Sequence, residues 1–377
     1  MKIVFTVYTY YPMKDGVSSV TTYLAEGLAK KGHDVTVVTP VYGNEREEVH
    51  HEVKIKRVDI YNIHAIYRGN KVAYRKLIME LTADADVLVC VCTQTPTSEF
   101  LFPILHELQC KKILYMHGMN DFRWSRANFD SATTLAHKIW NNVIYGARYA
   151  INKKYFKEFD HIVQLYEEDY ATWYFKEKYG SECDIIGNAA DDVFFESISG
   201  STVSEKYAIC VSNYIERKNQ EMLIRAVYQT KISELKLVLI GSEETQYFKV
   251  LGELNRELAE ENGVNKVELL TNVSRDKTVE YIKNATVYLL GSKWEAFPIS
   301  IVEAVASGVP YISTAVGCVA SLPGGVIIKS ETEMAEWIDT FMENEVLREK
   351  YVTEGLCYAR ENLTIESKVT QLEKLMQ

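Results

Sequence analysis

Short runs of aliphatic and β-branched residues alternate along this chain with longer stretches whose apolar positions recur every three or four residues. The short runs predict strands over 3–9, 34–39, 54–59, 86–92, 112–116, 161–165 and 183–186; the long ones predict helices near 18–31, 70–83, 97–109, 133–158 and 167–179. From Asn188 to Glu205 the sequence is polar, rich in small residues and without a period, as in a connection between domains. The alternation then restarts, with strands at 207–211, 236–240, 267–270, 286–290 and 309–314. Helices lie between them at 220–230, 245–262, 275–285 and 299–307, and three more fill the tail from 331. Repeated strand–helix units of this kind specify parallel sheets covered by helices. The fold class is therefore α/β, with two doubly wound, Rossmann-like domains, whose ligand sites lie at the carboxyl ends of the strands and face a cleft. We place the first domain at 1–190, a linker at 191–205, the second domain at 206–360 and a last helical segment at 361–377.

Length agrees, since 377 residues exceed what one ordinary core absorbs. The start, MKIVFTVYTYYP, enters a strand directly and lacks the layout of a signal peptide, and no apolar run is long enough to span a bilayer, so a cytoplasmic chain is expected. Seven cysteines without CxxC spacing read as reduced, buried thiols. Net charge is −10 and uneven: residues 1–190 hold 23 basic and 23 acidic side chains, residues 191–377 hold 19 and 29. No basic domain exists to hold nucleic acid.

The stretch most informative about chemistry is GSKWEAFPISIVEAVASGVP, residues 291–310. A strand ends in Gly-Ser, a loop carries Glu295, and a helix begins near Pro298, with Glu303 eight residues beyond Glu295. The amides of Phe297, Ile299 and Ser300 are then first-turn donors aimed at an anion, backed by the helix dipole. Pro298 suits an early helical position because its missing N–H is not needed there. Two carboxylates flanking such a helix start suit a sugar diphosphate, with phosphate on the amides and hydroxyls on the carboxylates.

Residues 295–310 match every fixed position of E-[GA]-F-[GP]-[IL]-x3-E-A-x-A-x-G-x-P, and on these residues the chain resembles the retaining glycosyltransferases of family 4, with the GT-B fold. The resemblance implies that Glu303 holds the ribose of a nucleotide-sugar donor and that Glu295 lies beside the donor sugar. PMKDGVSSVTTYLAEGLAKKGHDVTVVTP is similar to the family's opening loop, helix and strand, with Gly16 where backbone approaches phosphate and Asp15 where a glycine is usual. His117, in YMHG, matches the family histidine near the reacting centre. CVSNYIERKNQ, residues 210–220, resembles the diphosphate clamp: Lys218 matches its lysine, whereas Asn213 stands where the family has arginine, and the neighbouring Arg217 is a candidate to supply the lost charge. IIGNAADDVFF, residues 185–195, resembles the hinge motif through Asn188, Asp191 and Phe195.

The implied activity is transfer of a hexose or N-acetylhexosamine, with retention, from a nucleotide sugar (a UDP-sugar is expected) to a saccharide, lipid-linked or protein-linked acceptor. The nucleotide sugar is a substrate, and no cofactor or metal is implied, since Asp84-x-Asp86 precedes a strand at the wrong end. Catalytic roles fall on His117, Lys218 and Glu295, and donor binding on Gly16, Asn213, Lys218, Phe297, Pro298, Ile299, Ser300 and Glu303. A nucleotide-sugar epimerase and a non-catalytic subunit that binds a partner transferase are the rival readings. Finally, residues 133–159 carry five Lys or Arg against one acidic residue, with Trp140, Ile144, Ala147, Ile151 and Tyr155 at helical spacing. Two readings stay open there: an amphipathic helix packed on its own sheet, or an interfacial helix docking on anionic membrane.

Overall fold

A computed structural model describes residues 1–13, 15–43, 46–124, 126–129, 131–196 and 206–377. The chain forms two compact units, one of Met1–Gly187 with Lys368–Gln377, the other of Asn188–Ser367.

Unit 1 runs β1 (Lys2–Thr6), α1 (Gly16–Lys30), β2 (Asp34–Pro40), β3 (Glu47–His50), β4 (Val53–Val58), β5 (Ile60–Ile63), β6 (Ile66–Gly69) and α2 (Lys71–Thr82). It continues through β7 (Val87–Val91), α3 (Pro96–Glu99), β8 (Lys111–Tyr115), α4 (Ala132–Phe156), β9 (His161–Gln164), α5 (Tyr170–Tyr179) and β10 (Asp184–Ile185). Its main sheet has the order β10-β9-β8-β7-β1-β2-β4-β3, parallel except for the edge strand β3. Strands with helices on both faces read as unbroken apolar runs, and VLVCV of β7 is buried at every position. From β1 the chain goes first towards β2 and later towards β7, so the switch point of the sheet lies between β1 and β7.

Unit 2 runs β11 (Tyr207–Val211), α6 (Gln220–Gln229), β12 (Lys236–Gly241), α7 (Gln246–Asn262), β13 (Val267–Thr271), α8 (Arg275–Asn284) and β14 (Val287–Leu290). Then follow α9 (Ile299–Ala306), β15 (Tyr311–Thr314), β16 (Gly325–Ile328), α10 (Glu331–Glu343), α11 (Glu345–Asn362) and α12 (Ile365–Met376). The sheet is parallel, in the order β13-β12-β11-β14-β15-β16, with its switch point between β11 and β14. A core of Leu223, Val227, Leu237, Leu239, Ile338 and Phe341 fills the space between strands and helices on one face.

The last turns of α12 belong to unit 1. Glu373 accepts from Lys31 Nζ at 2.7 Å and pairs with His33 Nε2 at 2.7 Å. Val369 presses so closely on Gly27 of α1 that a Cβ there would lie 2.4 Å from a valine methyl.

Three departures from the sequence expectations have physical causes. The helix expected over 97–109 is instead the single turn α3 followed by a 3-10 segment, Phe102–Glu107; Pro103 has no N–H with which to continue the ladder. The strands β3, β5, β6 and β16 are short, and the first three carry exposed, mixed residues rather than a buried run. The expected linker 191–205 begins inside unit 2: Asp192–Phe194 is a 3-10 turn, Phe194 is 1% exposed, and Ala190 pairs with Thr364. Residues 197–205 of that linker lie outside the described residues. Cys90, Cys110, Cys210 and Cys318 are buried thiols as expected, but Cys357 is exposed.

Candidate active site

In unit 2 the loops leaving β11 and β14 emerge side by side at the switch point, and they carry most of the residues singled out by sequence. Asn219 takes a left-handed conformation (φ 52°), which asparagine tolerates, and its side chain donates to the Gly291 carbonyl at 3.0 Å. Lys293 N donates to the Arg217 carbonyl at 2.9 Å, and Arg217 Nη1 donates to the Trp294 carbonyl at 2.9 Å while its guanidinium stands 5.3 Å over the Trp294 ring. Stitched in this way, the loops bring Lys218 Nζ to 2.6 Å from Glu295 Oε1. Ser292 Oγ donates to the same oxygen at 2.7 Å, and Arg217 Nη1 lies 3.6 Å from Oε2. Glu295 is 8% exposed. A carboxylate so buried is costly without partners, and here two cations and a hydroxyl provide them.

The far side of the β14 loop is fixed as firmly. Gly317 sits at φ 53°, and a Cβ there would lie 2.1 Å from the Ala296 carbonyl oxygen, which instead accepts from Cys318 N at 3.2 Å. Asn188 Nδ2 donates to the Phe297 carbonyl at 3.0 Å, so the motif expected to be a hinge buttresses this loop.

Pro298 is the N-cap of α9, one position earlier than the early helical place expected of it, and no side chain caps the helix. Its carbonyl accepts from Ile301 N and Val302 N. The amides of Ile299 and Ser300 are left as first-turn donors with no acceptor inside the helix. Glu303, one turn on, is 5% exposed, and Arg275 Nη2 donates to its Oε1 at 2.5 Å. Burial pushes the Glu303 carboxyl above the usual range, against the pull of Arg275. Arg275 opens α8 directly after its cap Ser274, with its guanidinium 4.9 Å over Phe194. Sequence reasoning missed Arg275 and Ser292; the Ser-Arg pair closing the loop after β13 was the available signal. Asn213 is exposed, and of its groups the carbonyl is engaged, accepting from Gln220 Nε2 at 3.0 Å.

Gly16 and His117 belong to unit 1. Gly16 opens α1, but Asp15 Oδ1 accepts from the amides of Val17 at 2.9 Å and Ser18 at 3.0 Å. Two of the first-turn donors of α1 are thus already taken by a carboxylate. His117 follows β8. Its Nε2 is buried and has no hydrogen-bond partner among the described residues. Burial lowers its pKa to about 4, opposed by the nearby charge of Asp15, so the ring is neutral at pH 7.

Asp84 and Asp86 are engaged by Lys2: its Nζ binds the Asp84 carboxylate, and its amide donates to Asp86 Oδ2 at 2.6 Å. Among the described residues one trio of metal-ligating groups converges, Glu26, His50 and His51, with ligand atoms within 4.8 Å. The two imidazoles stack at 4.1 Å and 23°, and each has a ring nitrogen near Glu26 Oε1, His51 Nδ1 at 3.0 Å and His50 Nε2 at 3.9 Å.

Residues 193–356 match the family model for glycosyl transferases group 1, and residues 14–163 match that for glycosyltransferase family 4. An uncharacterized glycosyltransferase of Haemophilus influenzae is 24% identical over 303 residues, covering 79% of this chain and 76% of that protein. Among solved structures, sucrose-phosphate synthase from Thermosynechococcus elongatus superposes with a TM-score of 0.75 at 15% identity, over 99% of this chain and 98% of that one. Anabaena HepE in complex with UDP and glucose gives 0.69 at 14% identity, over 99% and 98%.

Proposed function

This chain belongs to the glycosyltransferases of the family 4 type, with the GT-B fold, and on that premise we propose that it transfers a hexose or N-acetylhexosamine from a UDP-sugar, with retention and without a metal. The observation that carries the proposal is the uncapped start of α9, set between the buried carboxylates Glu295 and Glu303, with Lys218 held against the first of them. The Ile299 and Ser300 amides receive the diphosphate, and the helix dipole favours its charge. Glu303 accepts from the ribose hydroxyls, which requires Arg275 to share or release it. The UDP seen in HepE accords with this choice of nucleotide.

Lys218 gives the site its chemistry. Its ammonium neutralises Glu295; with donor bound it faces the diphosphate. As the bond from the anomeric carbon to the diphosphate oxygen breaks, negative charge grows on that oxygen, and a cation already fixed nearby stabilises the change without reorganising. The acceptor oxygen then bonds to the same face of the sugar, and its proton passes to the departing diphosphate oxygen. Glu295 orients sugar hydroxyls.

The test is to incubate the purified chain with a panel of UDP-sugars and saccharide acceptors in EDTA and to follow release of UDP and the anomeric configuration of the product by NMR. The expected result is UDP release at the rate seen without chelator, with an α-linked product from an α-linked donor. An inverted product would refute retention, and loss of activity restored by Mg2+ or Mn2+ would refute metal independence. Interconversion of nucleotide sugars without UDP release would favour the epimerase, and nucleotide binding without any turnover would favour the non-catalytic subunit.

A further inference from the structure

Helix α4 is apolar on two faces. Inward, Tyr149 and Phe156 are buried against Phe102 and Phe175. Outward, Ala136, the adjacent pair Ile139 and Trp140, Val143, Ala147 and Ile151 recur every three or four residues and all face solvent, with Val143 at 62% and Ile151 at 67% exposure. Isolated exposed apolar residues are ordinary, but this is one continuous stripe of roughly 22 Å along the axis. Of the positions singled out by sequence, Trp140, Ala147 and Ile151 fall on this stripe, whereas Tyr155 packs against the core. Segments beside α4 add exposed aromatics: Trp124, whose ring lies 5.6 Å from Phe129, and Trp173 on α5.

Charge says what covers the stripe. From Ser131 to Lys157 there is no Asp or Glu, in a chain whose net charge is −10. Arg148 is engaged with Glu99 at 2.9 Å. Lys153, Lys154 and Lys157 cluster at the end of the helix, where with Tyr179 and Ser181 they line a cleft of about 460 Å3. A second copy of this chain would bring the same acid-free face and leave those lysines unpaired. An anionic bilayer answers both features, because its interface accepts tryptophan and aliphatic side chains while lipid phosphates meet the ammonium groups. Among the described residues no helix is long and apolar enough to cross a membrane.

We propose that α4 docks this protein on an anionic phospholipid bilayer, its apolar stripe seated at the boundary of headgroups and acyl chains and its lysine cleft on lipid phosphate. The docking is independent of which sugar the enzyme transfers. It is tested with the full chain, without donor, by co-sedimentation with vesicles of phosphatidylglycerol and phosphatidylcholine and with vesicles of phosphatidylcholine alone. The expected result is binding to the anionic vesicles that weakens as salt rises. The triple variant Lys153→Glu, Lys154→Glu, Lys157→Glu should bind on the order of 100-fold more weakly. The pair Trp140→Ser, Val143→Ser should also bind weakly while keeping the parent's melting temperature and its rate of UDP release. Equal binding of parent and both variants would overturn the proposal. So would absence of vesicle binding by a parent that releases UDP normally, or self-association of the parent that Val143→Ser disperses.

Discussion

Each unit begins a helix beyond the carboxyl end of a strand at its switch point, α1 after β1 and α9 after β14, and the two helices begin differently. At α1 the carboxylate of Asp15 takes the Val17 and Ser18 amides. At α9 the residue in the same role is Pro298, which has no polar side chain, and the Ile299 and Ser300 amides have no side-chain cap among the described residues. The doubly wound fold thus presents the same cluster of donors twice, and one residue decides whether the protein satisfies them itself or leaves them to a ligand. The surroundings follow that division. Near α9 stand two buried carboxylates with cations on them, whereas near α1 stands a histidine held neutral by burial.

The largest expected effect comes from the cation at the open site. Lys218→Ala should lower turnover on the order of 100- to 1000-fold while weakening donor binding much less, because charge on the diphosphate grows only as the bond breaks. Equal losses in donor affinity and kcat/KM would make Lys218 an ordinary binding contact. Next, Glu303→Ala should weaken UDP and UDP-sugar alike by roughly 1–3 kcal/mol, as for hydrogen bonds to a charged group. Calorimetry showing unchanged UDP affinity would take Glu303 away from the ribose.

At the capped helix the effects are on stability. Asp15→Ala should cost about 1 kcal/mol of folding free energy, and Asp15→Gly only a few tenths, with UDP affinity unchanged in both. Were Asp15→Gly to tighten UDP binding, the two helix starts would be equivalent after all. At neutral pH the smallest effect is that of His117. Its folded pKa of about 4 lies below the ordinary value of 6.5, so the unfolded chain binds a proton there that the folded chain does not. Its contribution is complete above pH 6.5 and is lost as pH falls towards 4. In His117→Gln, stability measured by urea titration should fall less steeply across that window; an unchanged slope would mean that the ring is not held neutral.

Much of this comparison was legible in the sequence, though not both of its sides. The pattern of 295–310 encodes a local event, a strand end, a loop and a helix start, and neighbouring residues suffice to specify it. The pairing of Arg275 with Glu303 is different, since it joins side chains 28 residues apart through the packing of α8 beside α9. Asp15 was visible as a departure from the family's glycine, yet its capping geometry depends on backbone angles that residue identity does not state. The helix α4 shows a further limit. Its period marked an apolar stripe, but a helix apolar on two faces has two ways to turn, and only the packing of Tyr149 and Phe156 shows which face went inward.

The chain enters unit 2 at Asn188 and returns to unit 1 at Lys368, and this fixes an order of events during synthesis. Proteins emerge from the ribosome N-terminus first, and early domains ordinarily fold while later ones are still being made. Unit 1 cannot finish in that way. Until residues 368–377 are released, Lys31 and His33 lack Glu373, and the notch at Gly27 lacks Val369. The half of the protein that is translated first is therefore completed last, after every residue of unit 2 has emerged.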